Sequence, residues 1–337
     1  FPPPPLSPSK KSLYLALTGL LISPIATAQN NQQQDNPQFS QTVVFGDSLS
    51  DVGNFKALNP NISNFAGGVW NGIKGWLFGK NNPDVGIGQT FSTNPDLTWA
   101  GDLPPVTYGE PVVYAVGGAK VATDNPQSKL FGLVKPDIPS VKSQVDAHLK
   151  SNNQANPDAL YAVWIGSNDL MGLKNGNKEL KLADVQVIET ASQKQVEQID
   201  RLHQAGAKYI LVPSVPNIGI TPEFNTSTER QKISDAANHY NQTLYQGLQN
   251  QSNANVIPAN TYALLNEVVA DHESFGFKYG NGKNDRACKT SIGTEEKNWG
   301  CGKTEWQNPN ANEEYVFADG IHPSGRTHLF WLNTIKH

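Results

Sequence analysis

Three side chains suited to acyl transfer stand near opposite ends of this 337-residue chain. Ser48 closes the run Val43-Val44-Phe45-Gly46-Asp47-Ser48, where an apolar stretch ends in a polar turn. A serine just past the C-terminal end of a buried strand sits where open α/β sheets form their ligand crevice. Far downstream, Asp319-Gly320-Ile321-His322-Pro323 sets a carboxylate and an imidazole three residues apart in one loop. Such a pair can meet within a turn, the aspartate orienting the ring and stabilising its charged form. A histidine held in that way can take the proton of a serine hydroxyl, a weak nucleophile unaided. Each fragment also has a plainer reading, since Gly-Asp-Ser is ordinary turn chemistry and Asp-x-x-His-Pro spells a surface Asx-turn.

Two further segments offer what such a pair lacks, donors for an oxyanion. The apolar run at residues 159–165 leads into Gly166-Ser167-Asn168-Asp169, and the one at residues 112–116 into Gly117-Gly118-Ala119. The Asn168 side-chain amide and a bare glycine N–H can both donate to a developing oxyanion, each for about 3 kcal/mol of transition-state stabilisation. Taken singly, Asn168 reads as a helix N-cap and the glycine pair as a strand-to-loop break. Four strand-end motifs in this order are what turn the fragments into a site.

The elements that must position them alternate along the chain as a parallel sheet requires. Residues 183–205 predict an amphipathic helix, with Val187, Ala191, Val196, Ile199 and Leu202 on its buried face and Gly206 as a C-cap. A strand is expected at 209–212, a second helix at 229–249, a short strand at 256–257 and a third helix at 262–270. His203, His239 and His272 lie on or beside these helices and read as surface residues. Asp47 and Asp51 read as turn and cap residues. Residues 55–105, with Trp70, Trp76, Phe78, Phe91 and Trp99, read either as the wall of an acyl pocket or as core beneath a long loop.

The motifs together resemble the GDSL family of serine esterases and lipases, also called SGNH hydrolases. Gly46-Asp47-Ser48 with Ser50-Asp51-x-Gly53-Asn54 matches its first block, Gly117-Gly118-Ala119 the second, Gly166-x-Asn168-Asp169 the third and Asp319-x-x-His322 the last. Phe91-Ser92-Thr93-Asn94-Pro95 with Leu97-x-Trp99 resembles a segment that follows the first block in many members. The resemblance implies an α/β fold, a three-layer sandwich with a central, mostly parallel sheet and helices on both faces, flavodoxin-like in type. It implies Ser48 as nucleophile, His322 as base and then acid, and Asp319 as its orienter, with no metal and no cofactor. The oxyanion hole would be the N–H of Ser48, that of Gly118 rather than Gly117, and the Asn168 side chain. Two departures stand out. Val113 occupies the place where relatives usually have asparagine, and only residues 323–337 follow His322, where relatives generally continue through a full helix.

The resemblance implies a serine carboxylic-ester hydrolase acting on acyl esters or lipids, with peripheral contact to lipid surfaces. A lipid acyltransferase or phospholipase on the same fold, and a binding or adhesin module without turnover, are the alternatives. The first block and Ala115-Val116-Gly117-Gly118-Ala119 look most like the passenger domains of bacterial autotransporters.

Charged residues make up 17% of the chain, with a formal net charge of −4, and no basic cluster suggests nucleic acid as a partner. Residues 1–28 read as an N-terminal extension and signal peptide: Lys10-Lys11, an apolar stretch at 13–25, and the small-residue site Ala26-Thr27-Ala28. A disordered polar tail at 29–40 and a hydrolase domain at 41–337 would follow, and the protein would be secreted, periplasmic or at the cell surface. In such a compartment Cys288 and Cys301, the only two cysteines, are expected to form a disulfide worth about 3 kcal/mol. Free thiols or metal ligation fit less well, since no histidine lies at matching spacing.

Overall fold

The computed structural model describes residues 39–55, 98–101, 111–126, 137–250, 255–280, 282–289 and 306–336. The leader, the polar tail up to residue 38, Cys301 and the aromatics Trp70, Trp76, Phe78 and Phe91 lie outside the described residues; the last two residues of the expected disordered tail are ordered, Phe39 meeting the Tyr209 ring edge-on at 5.3 Å and Ser40 N–H donating to Asp158 O at 2.9 Å.

Five strands form one parallel sheet: β1 (Thr42–Gly46), β2 (Val112–Val113), β3 (Leu160–Trp164), β4 (Tyr209–Pro213) and β5 (Asn255–Ala259). Their order is β2-β1-β3-β4-β5, with Val43 opposite Val112 and Tyr161, and Gly46 opposite Trp164. The order reverses between β1 and β3, which makes the crevice beyond their C-terminal ends the switch point of the sheet. The expected apolar run at 112–116 is strand only over its first two residues, although the chain continues beside β1: Tyr114 N–H donates to Val44 O at 2.8 Å and Val116 N–H to Gly46 O at 3.1 Å.

Strand side chains alternate between two layers, as the pleat dictates. Val43, Phe45, Tyr161, Val163, Ile210 and Val212 enter one core, together with α1 (Val141–Asn152), α3 (Leu182–Gln204) and α4 (Arg230–Asn250). A short α2 (Ser167–Met171) follows β3 directly. Val44, Leu160, Ala162, Trp164 and Leu211 enter the other core, packed on α5 (Thr261–Ala270) and α7 (Gly325–Lys336). A further turn, α6 (Ala311–Glu314), caps the approach to α7, where Asn312 Oδ1 accepts the Gly325 N–H at 3.0 Å. The fold is thus the expected three-layer α/β sandwich.

Two expectations are corrected, and one of two open readings is decided. Val187 is 48% exposed, so the buried stripe of α3 runs instead through Ile188, Ala191, Gln195, Val196, Ile199 and Leu202. Gln195 joins it because Tyr240 and the Val163 carbonyl satisfy its amide. The helix expected to be missing after His322 is present as α7, its Trp331 packed edge-on against Trp164 at 4.8 Å. Trp99 is core rather than pocket wall: it is fully buried, meets Trp164 edge-on, and donates through Nε1 to Ser50 Oγ at 3.0 Å.

Candidate active site

Ser48 leaves the sheet one residue after β1 and Asp47. The approach is fixed at Gly46, where a Cβ would stand 2.4 Å from the Trp164 carbonyl oxygen, so only glycine lets β1 close on β3 here. Gln144 on α1, fully buried, clamps the same residue: its Oε1 accepts the Gly46 N–H and its Nε2 donates to Gly46 O, both at 2.9 Å. Beyond the serine the chain folds back on itself. Asp47 Oδ1 accepts the Leu49 N–H, and Asp51 accepts those of Gly53, Asn54 and Phe55, the turn and cap roles expected from sequence.

Asp319 and His322 form a self-contained turn. Asp319 Oδ1 accepts the N–H groups of Ile321 and His322 at 2.9 and 2.8 Å, while its two oxygens stand 3.0 and 2.9 Å from His322 Nδ1. His322 O in turn accepts the Ala318 N–H at 2.8 Å. From outside, Glu223 N–H donates to Gly320 O at 2.8 Å. The result is a line of contacts across 274 residues of sequence, with His322 Nε2 2.8 Å from Ser48 Oγ. With Nδ1 protonated toward the carboxylate, Nε2 is left free to accept the hydroxyl proton. Asp319 is fully buried, whereas Ser48 and His322 keep 7% and 5% of their surface exposed.

The oxyanion candidates converge on the same corner. Gly117 N–H donates to Asp51 Oδ2 at 2.7 Å and is therefore committed. The N–H groups of Gly118, at φ 83°, and of Ser48 have no acceptor among the described residues. Of the glycine pair, Gly118 is thus the one whose N–H is unengaged among the described residues. Asn168 sits inside the first turn of α2, one residue past its start, so it is not the N-cap; Gly166, at φ 122°, holds that place. A Cβ on Gly166 would stand 2.8 Å from the Tyr240 ring, a second position closed to other residues. One N–H of the Asn168 amide donates to Ala119 O at 2.9 Å, which ties the third block to the second and leaves its other N–H to donate elsewhere. Where relatives usually have asparagine this chain has Val113, and its carbonyl is held from elsewhere: Asn54 Nδ2 donates to both Val113 O and Ala115 O at 2.9 Å.

Ser48 and His322 open onto a cleft walled by Leu49, Met171, Ile218, Leu265 and Ile321, an apolar lining suited to an acyl chain. Burial shapes the acids behind it. It pushes the carboxyls of Asp51 and Asp169 up to about 6 and that of Asp47 up to about 7. His328, on α7 behind the Asp319–His322 loop, is held down to about 3 by its own burial and by His322. Sequence reading did not single out Gln144 or Glu223 and read Asn54 only as part of the first block, because each acts on a residue some 59 to 98 positions away. His203, His239 and His272 stand away from the site; His203 bonds the Ala207 carbonyl and His239 pairs with Glu189.

The family model for GDSL-like lipase/acylhydrolase matches residues 42–335. The chain is 29% identical over 299 residues to an uncharacterized protein of the trpE-trpG intergenic region of Pseudomonas putida, covering 85% of this chain and 46% of that protein. It is 29% identical over 334 residues to the esterase EstA of Pseudomonas aeruginosa, covering 93% of this chain and 49% of that protein. The chain thus spans about half the length of these curated relatives. Among solved structures it is similar to an acetyl xylan esterase from Geobacillus stearothermophilus, with a TM-score of 0.41 and 14% identity over 88% of this chain and 95% of that one. On the match over residues 42–335, the chain belongs to the GDSL-like lipase/acylhydrolase family of ester hydrolases.

Proposed function

We propose that this protein hydrolyses carboxylic esters through an acyl-enzyme formed on Ser48. The observation that carries the reading is the unbroken line from Ser48 Oγ through His322 to Asp319, with unengaged N–H donors beside the serine. Ser48 attacks the ester carbonyl while His322 Nε2 takes its proton, and the Asp319 carboxylate steadies the imidazolium. The oxyanion accepts from Ser48 N–H, Gly118 N–H and the Asn168 amide. His322 then protonates the leaving alcohol, and water attacks the acyl-enzyme by the same route in reverse. The acyl group lies in the apolar cleft beside Leu49, Met171 and Ile321. The helix α7, seated behind His322, supports turnover over a non-catalytic binding role, since it braces the loop that a binding module would have no need to hold.

Acyl esters or lipids are the proposed substrates, and export through the leader is the proposed route to a secreted or cell-surface location. A Cys288–Cys301 disulfide is proposed with it. Cys288 is buried and its N–H donates to Ala318 O at 2.9 Å, one residue before Asp319, so a crosslink there would stiffen the approach to the catalytic turn.

The test is hydrolysis of p-nitrophenyl esters from acetyl to palmitoyl by the wild-type protein and Ser48→Ala. Activity lost in a folded variant supports the reading, and the chain-length profile separates esterase from lipase. A well-folded wild-type protein inert toward all of them, and unlabelled by an active-site phosphonate, would overturn it.

A further inference from the structure

The cleft at Ser48 takes part of its lining from two separate segments. Met171 ends α2, while Ile218 and Thr221 lie in and just after a 3₁₀ turn at Ile218–Ile220. Both segments are fastened to the start of α4. After Met171 the chain runs through a largely exposed loop that two buried, charged side chains hold. Lys232, fully buried, donates through Nζ to Leu173 O at 2.8 Å and to Asn175 Oδ1 at 2.9 Å, with Asp184 Oδ2 of α3 at 3.3 Å. Glu229, one residue before α4, accepts the N–H groups of Asn175 and Gly176 through Oε1, both at 2.8 Å. On the second segment Ser234 Oγ donates to Asn217 Oδ1 at 2.8 Å, and Asn217 Nδ2 donates to Asn266 Oδ1 of α5 at 2.8 Å. That pair of bonds fixes the residue directly before Ile218. None of these bonds goes to Ser48, Asn168 or the Asp319–His322 turn.

A buried ammonium is costly to strand, and two of the three acceptors of Lys232 belong to the loop after Met171. Opening that loop would leave the charge without them, so the loop stays closed on Lys232 and Met171 stays in place with it. We propose that Lys232 is a positioning residue for acyl-chain recognition: it sets the Met171 side of the cleft, as Ser234 sets the Ile218 side, without touching substrate. This rests on the reading of the cleft as the acyl site of an ester hydrolase, and it narrows the substrate class. Met171, Ile218, Leu265 and Ile321 offer more apolar surface than the methyl of an acetyl group can cover, so the substrates are esters of longer aliphatic acids.

Lys232→Met tests the idea because it keeps an unbranched side chain of similar length and removes its donors. Toward the octanoyl p-nitrophenyl ester, kcat/KM falls about tenfold more than toward the acetyl ester, the worth of roughly two methylenes no longer buried, and the difference lies in KM. Equal losses on both esters, or a difference confined to kcat, overturn the proposal, since a merely structural lysine scales all substrates alike. Lys232→Met also leaves Asp184 without its cation, so Ser234→Ala serves as the gentler variant. Loss of that one hydrogen bond moves the octanoyl-to-acetyl ratio the same way by about threefold. An unchanged ratio in folded Ser234→Ala protein overturns the proposal. A second measurement, calorimetric binding of decanoate, needs no turnover. Lys232→Met binds it about tenfold more weakly than wild type. Equal affinity, or no binding by wild type, overturns the proposal. A wild-type protein that cleaves no ester but shows this difference in decanoate binding would reject ester hydrolysis and uphold the role of Lys232.

Discussion

The two halves of the proposed triad are held by different kinds of structure. The Asp319–His322 turn is largely self-supporting: within four residues, one carboxylate accepts two backbone N–H groups and meets the imidazole. Around Ser48 the local support is only the turn in which Asp47 accepts the N–H groups of Leu49 and Ser50. The serine's place comes from the register of β1 against β3, from Gln144 reaching in from α1, and from Asp51 holding Gly117 across 66 residues of sequence. The base is therefore built by a turn and the nucleophile by a sheet. Damage to the first should alter chemistry while sparing the fold, and damage to the second should alter both.

Asp319→Asn should show the largest effect. The amide oxygen can still accept the two backbone bonds, but the amide holds the imidazole in the wrong tautomer, so kcat falls by roughly 10³–10⁴ while the thermal midpoint barely moves. A comparable fall in stability would mean the turn is not self-supporting. Asn168→Ala comes next: loss of one oxyanion donor lowers kcat by roughly 10²–10³ with little change in KM, measured on the best p-nitrophenyl ester. Gln144→Ala should cost about tenfold in kcat through small displacement of Ser48, together with about 2–3 kcal/mol of stability from the buried Gly46 groups left unpaired. Unchanged denaturant stability in that variant would show that the sheet alone positions the serine.

The smallest effect sharpens the contrast from the side of pH. The folded Asp47 carboxyl, at about 7, lies above its ordinary value of 3.8, so the native state holds the proton more tightly than the unfolded chain. Wild-type stability carries no penalty from this group in acid and loses ground as pH rises toward 7. Asp47→Asn escapes that loss, and its thermal midpoint should exceed wild type by a few degrees above about pH 7 and match it below about pH 4. A difference that is flat across pH would show that Asp47 does not titrate in the fold.

Much of this was legible before any coordinates. The Asp319–His322 pair is readable because its contact is local, and the strand-end glycines Gly46 and Gly166 are readable because each breaks an apolar run. The buried face of α3 was read with one error, Val187. Periodicity counts an apolar side chain toward the core, whereas the packing turned the neighbouring Ile188 inward and paid for Gln195 with hydrogen bonds from Tyr240 and to Val163. The expected absence of a helix after His322 failed for a related reason: twelve residues are enough for α7 once Asn312 caps it and Trp331 finds Trp164.

By itself, the sequence determined which side chains could do chemistry, the alternation of strand and helix, and the glycines that the close strand approach requires. These are set by local sterics and by period. Only the tertiary structure decided that Gly118 rather than Gly117 keeps a free N–H, since Asp51 takes the other. It alone decided that Asn54 holds the Val113 carbonyl, and that Asp47 lies buried with one oxygen unmet among the described residues. Each of these depends on which distant groups the parallel crossovers bring together, and no local pattern in the chain encodes that proximity.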